Sequence, residues 1–255
     1  MNANSSRLMP VWQVLLGASF LALWEAGARA GTLDRFFFSR PSDIALRVGQ
    51  WIATGFVWPH LGTTLLEAAL SFLIGGALGV AFGFLLARRR WLGMLLDPYV
   101  RIANSLPRVV LAPIFLLWFG LGIWSKVALG VTVVFFIVFF NTFQGVREVD
   151  PVLVDNARML GARERDLVKH VLLPSALAWI FSSLQVSVGF AIIAVVVGEY
   201  LGASRGIGYV IAQAEGVFDT TGVFAGMTVL SAVVLLVGAG VTAAERRLLR
   251  WKQRP

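Results

Sequence analysis

Six long apolar runs constrain this chain more than any other feature of its sequence. They lie near residues 10–28, 61–87, 98–119, 124–143, 174–198 and 222–244. A helix needs about 20 apolar residues to cross a bilayer core, where its backbone polar groups must be hydrogen bonded internally. With 58% hydrophobic and 14% charged residues, the chain is too apolar for a soluble domain. We therefore expect an all-α integral membrane protein with six transmembrane helices.

The positions of Lys and Arg predict the orientation of these spans. The net charge of +8 comes from residues beside the apolar runs, which fits the positive-inside rule better than nucleic-acid binding. If the N-terminus is cytoplasmic, most of the 22 basic residues fall on the cytoplasmic side. Both termini are then predicted to be cytoplasmic, and Lys126 and Arg205 to be accessible from outside. The sequence has no cysteine, and its two histidines fall on opposite sides, so no metal site or cofactor is expected on this chain.

Between the first two spans, a short helix is predicted to start at Arg40-Pro41-Ser42-Asp43 and to run to about Ala53. Val48, Trp51 and Ile52 give this segment one apolar stripe. A helix of this kind can lie in the plane of the membrane interface. We therefore place residues 29–60 at the outer surface.

Small residues and prolines distinguish the second and third spans. Gly75, Gly79 and Gly83 recur every fourth position, the spacing that lets two helix backbones approach closely. The third span is expected to be a broken helix that its neighbours must support, because it contains prolines at three positions, 98, 107 and 113. Broken backbone of this kind is tolerated next to a cavity.

A polar loop, residues 150–174, interrupts the apolar sequence. Asp150 can cap a short helix with Pro151 in its first turn. One face of this helix is apolar and carries Leu153, Ala157 and Leu160. Gly161 can take the positive φ that ends the helix, and a second short helix is predicted from Ala162 to Val171. The charges of the loop balance, which favours a protein docking surface over a strip that binds anionic lipids.

Polar side chains inside the spans are candidates for a transport path, because a carboxylate in hydrocarbon costs about 3 kcal/mol even on mild insertion scales. Six such residues occur: Glu67, Asn104, Arg108, Asn141, Gln185 and Glu199. We select Glu67, Arg108 and Gln185 as substrate-path residues. The alternative is a structural role near an interface or toward the cytoplasmic side. No G-x-x-x-x-G-K-[ST] loop is present, so ATP is not expected to bind here in the usual way.

The polar loop resembles the cytoplasmic loop of permeases in ATP-binding-cassette (ABC) importers, which reads E-A-A, three residues, G, nine residues, I-x-L-P. Here the matching residues are Asp155-Asn156-Ala157, Gly161 and Val171-Leu172-Leu173-Pro174, with Asp155 and Asn156 departing from the pattern. Six further stretches, 97–98, 105–107, 112–113, 117–122, 198–202 and 206–209, resemble nitrate, sulfonate and taurine permeases. The resemblance covers roughly residues 58–245.

This resemblance implies a type I ABC importer permease fold (MetI-like) in a bacterial inner membrane. Residues 1–57 would form a leading helix and outer segment, 58–245 the permease domain and 246–255 a basic cytoplasmic tail. The chain would not be an enzyme, because a partner ATPase would bind ATP and Mg. The residues implied to couple to that ATPase are Asp155, Asn156, Ala157, Gly161, Leu173 and Pro174.

The resemblance further implies a homodimer with two ATP-binding subunits, an extracytoplasmic binding protein, and a small oxyanion as substrate, such as nitrate, sulfonate, taurine or bicarbonate. Small heterocyclic vitamin precursors are the other substrates that the resemblance implies. The alternative function is a secondary transporter or channel driven by an ion gradient. That alternative predicts paired broken helices in repeated halves. Only the third span is clearly broken in the sequence.

Overall fold

The computed structural model describes the backbone of residues 3–248 and the side chains of residues 9 and 11–243. All regular elements within this range are helices, which confirms the predicted all-α class. They are α1 (Ala3–Ala30), α2 (Arg35–Phe38), α3 (Pro41–Ala53), α4 (Val57–Arg88), α5 (Arg90–Ser105), α6 (Arg108–Phe119), α7 (Ile123–Arg147), α8 (Pro151–Met159), α9 (Glu164–Leu167), a π-helical turn (Val168–Leu172), α10 (Leu173–Leu201), α11 (Ile207–Gly216) and α12 (Thr220–Leu248). The side chains of the predicted basic tail, 246–255, lie outside the described residues.

Five stretches are long and apolar enough to cross a membrane: α1, α4, α7, the continuous segment from α9 to α10, and α12. A sixth crossing exists only if α5 and α6 count as one span, and these two helices meet at an angle of 90°. The break falls at Leu106 and Pro107, both in extended conformation. Pro98 and Pro113 lie inside helices, so of the three prolines Pro107 accounts for the break.

The core of the bundle lies between α4, α7 and α10, where Val134, Val138 and Ala191 are fully buried. The predicted glycine spacing produces this packing. A Cβ atom at Gly75 would lie 2.8 Å from the Cβ of Val134, and one at Gly83 would lie 2.7 Å from the carbonyl oxygen of Phe139. The backbones of α4 and α7 therefore pack directly against each other, as the sequence predicts.

The predicted outer helix exists as α3, but most of its apolar stripe faces protein. Val48 and Trp51 pack against a buried cluster from α4, α11 and α12, whereas Ile52 is exposed. Arg47 also reaches the start of α12, where its guanidinium lies 2.6 Å from the Asp219 carboxylate. Helix α3 is thus held to the bundle by packing and by an ion pair.

Candidate coupling loop and substrate cavity

Helix α8 begins as its sequence predicts. The Asp150 side chain accepts a hydrogen bond from the Val152 amide at 2.9 Å, and Pro151 occupies the first turn. This cap satisfies one of the amide groups that lack a partner at a helix start. Asp150 and Pro151 therefore fix where the polar loop turns into a helix after α7.

Gly161 ends α8 with φ of +85°. Its amide donates to the Arg158 carbonyl at 2.9 Å, and the Ala162 amide donates to the Ala157 carbonyl at 3.0 Å. These two bonds form a Schellman motif, which needs a left-handed residue at the position of Gly161. Because a Cβ at Gly161 would meet no atom within 4 Å, the requirement comes from the backbone alone.

The second helix of the loop differs from its prediction. Helix α9 starts at Glu164 rather than Ala162, and it does not stop at Val171 but continues through the π-helical turn into α10. Pro174 explains the widened turn, because proline lacks an amide donor and its ring would clash with the carbonyl group four residues earlier. Leu173 and Pro174 are both exposed at the start of α10.

The apolar face of α8 is uncovered. Leu153 is exposed, and at the end of the helix Met159 and Leu160 have 86% and 89% of their surface exposed. Asp155 and Asn156 are also exposed, whereas Ala157 is half-buried. Exposed apolar side chains beside polar ones are typical of a protein docking surface.

An ion pair connects this surface to the end of α4. The Glu164 carboxylate lies 2.8 Å from the Arg88 guanidinium and 3.8 Å from that of Arg158 on α8. Arg158 also lies 3.6 Å from Asp155. The loop is therefore connected to α4 through these charges and to α10 through continuous helix, so a force on α8 can reach two spans.

Arg108 lies at the break between α5 and α6 and lines a cavity of about 580 Å³. Its guanidinium donates to the carbonyl oxygens of Asn104 and Leu106 and, at 2.7 Å, to the Asn104 side chain. It also lies 4.8 Å from the centre of the Phe136 ring. Two of its five N–H donors cap carbonyl groups at the end of α5 and a third binds the Asn104 side chain, so two donors remain for a ligand.

The other two predicted path residues lie in different surroundings. Glu67 is 2% exposed within the bundle, and Gln185 lines a separate cavity of about 220 Å³ between α10 and α12. The structure therefore does not bring Glu67, Arg108 and Gln185 together around one space.

Residues 79–250 match the family described as binding-protein-dependent transport system inner membrane component. The chain belongs to this family. The putative aliphatic sulfonates transport permease protein SsuC of Bacillus subtilis (strain 168) is 34% identical over 239 residues, which cover 94% of this chain and 87% of that protein. The riboflavin transport system permease protein RibX of Chloroflexus aurantiacus is 31% identical over 244 residues, covering 96% and 90%.

A solved structure of the MetNI methionine ABC transporter in an inward-facing conformation has a TM-score of 0.60 and 21% identity, covering 80% of this chain and 97% of that one. This likeness concerns the fold and confirms the MetI-like permease architecture. The chain is thus a multi-pass membrane protein, the permease subunit of an ABC importer rather than an enzyme. The family assignment replaces the alternative of a transporter driven by an ion gradient.

A buried polar cluster in this permease was not predicted as a unit. Glu199, at the end of α10, accepts hydrogen bonds from the Thr64 hydroxyl at 2.7 Å and the Gly208 amide at 2.8 Å. The Thr64 hydroxyl in turn accepts from the Ile207 amide at 2.9 Å. These bonds hold the chain that leads into α11. Glycines 202, 206 and 208 serve packing, because a Cβ atom at each of them would lie within 3 Å of a neighbouring residue.

Lys126 belongs to the same region of the permease and corrects one prediction. It is 1% exposed, and its ammonium group donates to the carbonyl oxygens of Leu121 at 2.7 Å and Gly122 at 3.1 Å. The prediction that position 126 is accessible from outside is therefore wrong. Gly198 of α10 packs against Lys126 at the start of α7. This contact covers a side chain that the charge count places in water.

Proposed function

We propose that two copies of this permease form the path of an importer for a small oxyanion, with both termini in the cytoplasm. Residues 1–57 would add a leading helix and an outer segment to the permease domain, 58–245. Two cytoplasmic ATPase subunits would bind ATP and Mg, and an extracytoplasmic binding protein would deliver the substrate. The docking surface for each ATPase would be the loop from Asp150 to Pro174.

The observation that carries this proposal is the uncovered apolar face of α8 on a loop that is mechanically connected to two spans. Met159 and Leu160 are large apolar side chains that lie outside the apolar runs, and they are nearly fully exposed. Closure of an ATPase dimer would move the two docked loops. Movement would then pass through Glu164 and Arg88 to α4 and through the π-helical turn to α10.

The Schellman motif provides the test. A valine at position 161 must adopt a left-handed conformation, which strains a β-branched residue, whereas asparagine tolerates it. We expect Gly161→Val to lose substrate-stimulated ATP hydrolysis and import in proteoliposomes with the cognate ATPase, while Gly161→Asn retains both. Normal coupling in Gly161→Val with unchanged insertion would refute the role of this loop end.

Arg108 is the proposed substrate contact within the path. It lines a cavity, keeps donors available, and sits where α6 begins, so backbone amides and the guanidinium can face one anion. The sulfonate permease relatives support an anionic substrate. Lysine keeps the charge but cannot bind an oxyanion through two parallel N–H groups.

The corresponding experiment compares Arg108→Lys with the native permease for import rate and for thermal stability. We expect import of the anion to fall by about tenfold or more. The stability measurement is needed because Arg108 also caps α5, and it separates the two roles. If Arg108→Lys imports the anion at the native rate, Arg108 does not bind the substrate and has only a structural role.

A further inference from the structure

Three cavities follow one another between α5 and α7. The cavity at Arg108, of about 580 Å³, shares Phe140 and Asn141 with a middle cavity of about 330 Å³. The middle cavity shares Asp97, Arg101 and Phe143 with a third one of about 600 Å³. The three neighbouring cavities form a row, which we call the corridor, from the break of the third span to the end of α7.

Each helix contributes one regular face to this corridor. On α5 the polar residues recur at i, i+7, i+11 and i+14: Arg90, Asp97, Arg101 and Asn104. On α7 the residues at i, i+4, i+7 and i+11 are Phe136, Phe140, Phe143 and Arg147. Both spacings place the side chains on a single helical face. The corridor is therefore lined by polar groups on one side and by aromatic rings on the other.

The third cavity is strongly basic. Guanidinium groups of Arg90, Arg101 and Arg147 line it, together with a single carboxylate, Asp97. Arg101 lies 2.7 Å from Asp97. Arg147 forms no salt bridge within the part of the chain that the structure describes, and its guanidinium lies 5.3 Å from the centre of the Phe143 ring. The cavity thus has a positive charge that its own carboxylate does not balance.

We propose that Arg101 and Arg147 form a second anion-binding site, separate from Arg108, through which the transported anion leaves toward the cytoplasm. This inference rests on the proposed import function. Asp97 is the internal competitor: its carboxylate pairs with Arg101 and would release Arg101 to a bound anion.

The lining of the corridor indicates what the anion carries. Phe136, Phe140 and Phe143 offer apolar ring faces between the two ends where guanidinium groups lie. The cavity at Arg108 and the middle cavity have mainly apolar walls, and cavities of this volume with a few polar groups suit small organic molecules. The ligand class is therefore an anionic head group on an apolar body. Transported organic anions and anionic lipids share this chemistry, and we assign the site to the transported anion.

The test is calorimetric binding of hexanesulfonate to the full chain in phosphatidylcholine nanodiscs. Arg101→Gln and Arg147→Gln should each weaken binding at this site by about tenfold or more, because each removes a charge-assisted contact. Arg89→Gln is the matched control, since Arg89 is exposed, lies next to Arg90 and does not line the cavity. Asp97→Asn should tighten binding severalfold, which a merely misfolded variant cannot do. The site should persist in Arg108→Gln.

Binding in Arg101→Gln and Arg147→Gln equal to that of Arg89→Gln would overturn the proposal. So would disappearance of all binding in Arg108→Gln, which would leave one site only. Displacement of hexanesulfonate by added phosphatidylglycerol would assign the site to lipid and overturn it as well. If the native permease stimulates no ATPase, the proposed import function is refuted. The hexanesulfonate measurement tests only the binding site and is independent of that result.

Discussion

A single methyl group added at Gly79 should destabilise the permease by a predictable amount. The Cβ atom of alanine at this position would lie 2.8 Å from the Cβ of Val138 and 2.9 Å from the carbonyl oxygen of Phe135. Neither neighbour is the flexible end of a side chain, so α4 and α7 must separate. Gly79→Ala therefore tests whether direct backbone packing holds the core together.

The expected magnitude has two parts of opposite sign. Overpacking a tight interior costs about 1–3 kcal/mol. Alanine in place of glycine favours a helix by about 1 kcal/mol. Gly62→Ala, in the same helix, meets no atom within 4 Å and receives only the second effect. The difference between the two variants is therefore about 1–3 kcal/mol, and each kcal/mol shifts the midpoint of a chain of this size by roughly 2–4 °C.

The assay is thermal unfolding of the purified full chain in one mild detergent, followed by tryptophan fluorescence. We expect the midpoint of Gly79→Ala to lie below that of Gly62→Ala by several degrees. Equal midpoints, or a higher one for Gly79→Ala, would show that α4 and α7 do not pack at the described distance. Because both variants make the same chemical change, effects of detergent and of helix propensity cancel in the comparison.

Three further predictions concern the two ends of the bundle. A cysteine at position 205 should react with an impermeant reagent in intact cells and one at position 90 should not; labelling at 90 would contradict the orientation. Burial raises the pKa of the Asp219 carboxyl, but the hydrogen bonds from Arg47 and from the Gly222 amide, together with the charge of Arg47, outweigh burial and lower the pKa below its ordinary value of 3.8. The stability that native protein has over Asp219→Asn should therefore be present above pH 3.8 and vanish as the pH falls below it, which thermal midpoints measured against pH would show. Glu199→Ala should lower the free energy of unfolding by about 1–3 kcal/mol, because a buried amide loses its acceptor, and an unchanged midpoint would exclude that role.

Features set by neighbours within one helical turn were predictable from the sequence. Asp150 and Pro151 start a helix, Gly161 ends it, and the glycines of α4 mark the face that meets α7. The preferences of capping residues, prolines and glycines act over three or four positions, so they are visible without a fold. The motif of the polar loop indicated the family for the same reason, since its spacing is local.

Only the tertiary structure determined how distant residues meet. Leu106 and Pro107 could have kinked a continuous span, but the structure turns α6 by 90° from α5 and thereby opens the cavity at Arg108. The cavity that Arg101 shares with Arg147 depends on two helices, α5 and α7, that are separated along the chain.

The buried polar cluster at Glu199, at the other end of the bundle, was likewise not predictable from the sequence. Thr64 and Glu199 are 135 positions apart and form a hydrogen bond of 2.7 Å. Hydropathy and charge counts assign each residue to water or lipid by its neighbours in sequence, and so they placed Lys126 outside. Packing of α7 against α10 covers Lys126, while carbonyl oxygens of the turn before α7 accept hydrogen bonds from its ammonium group. The sequence indicated which segments are apolar enough to cross a membrane, whereas packing between helices determined which polar groups are buried, because burial depends on contacts between helices rather than on local composition.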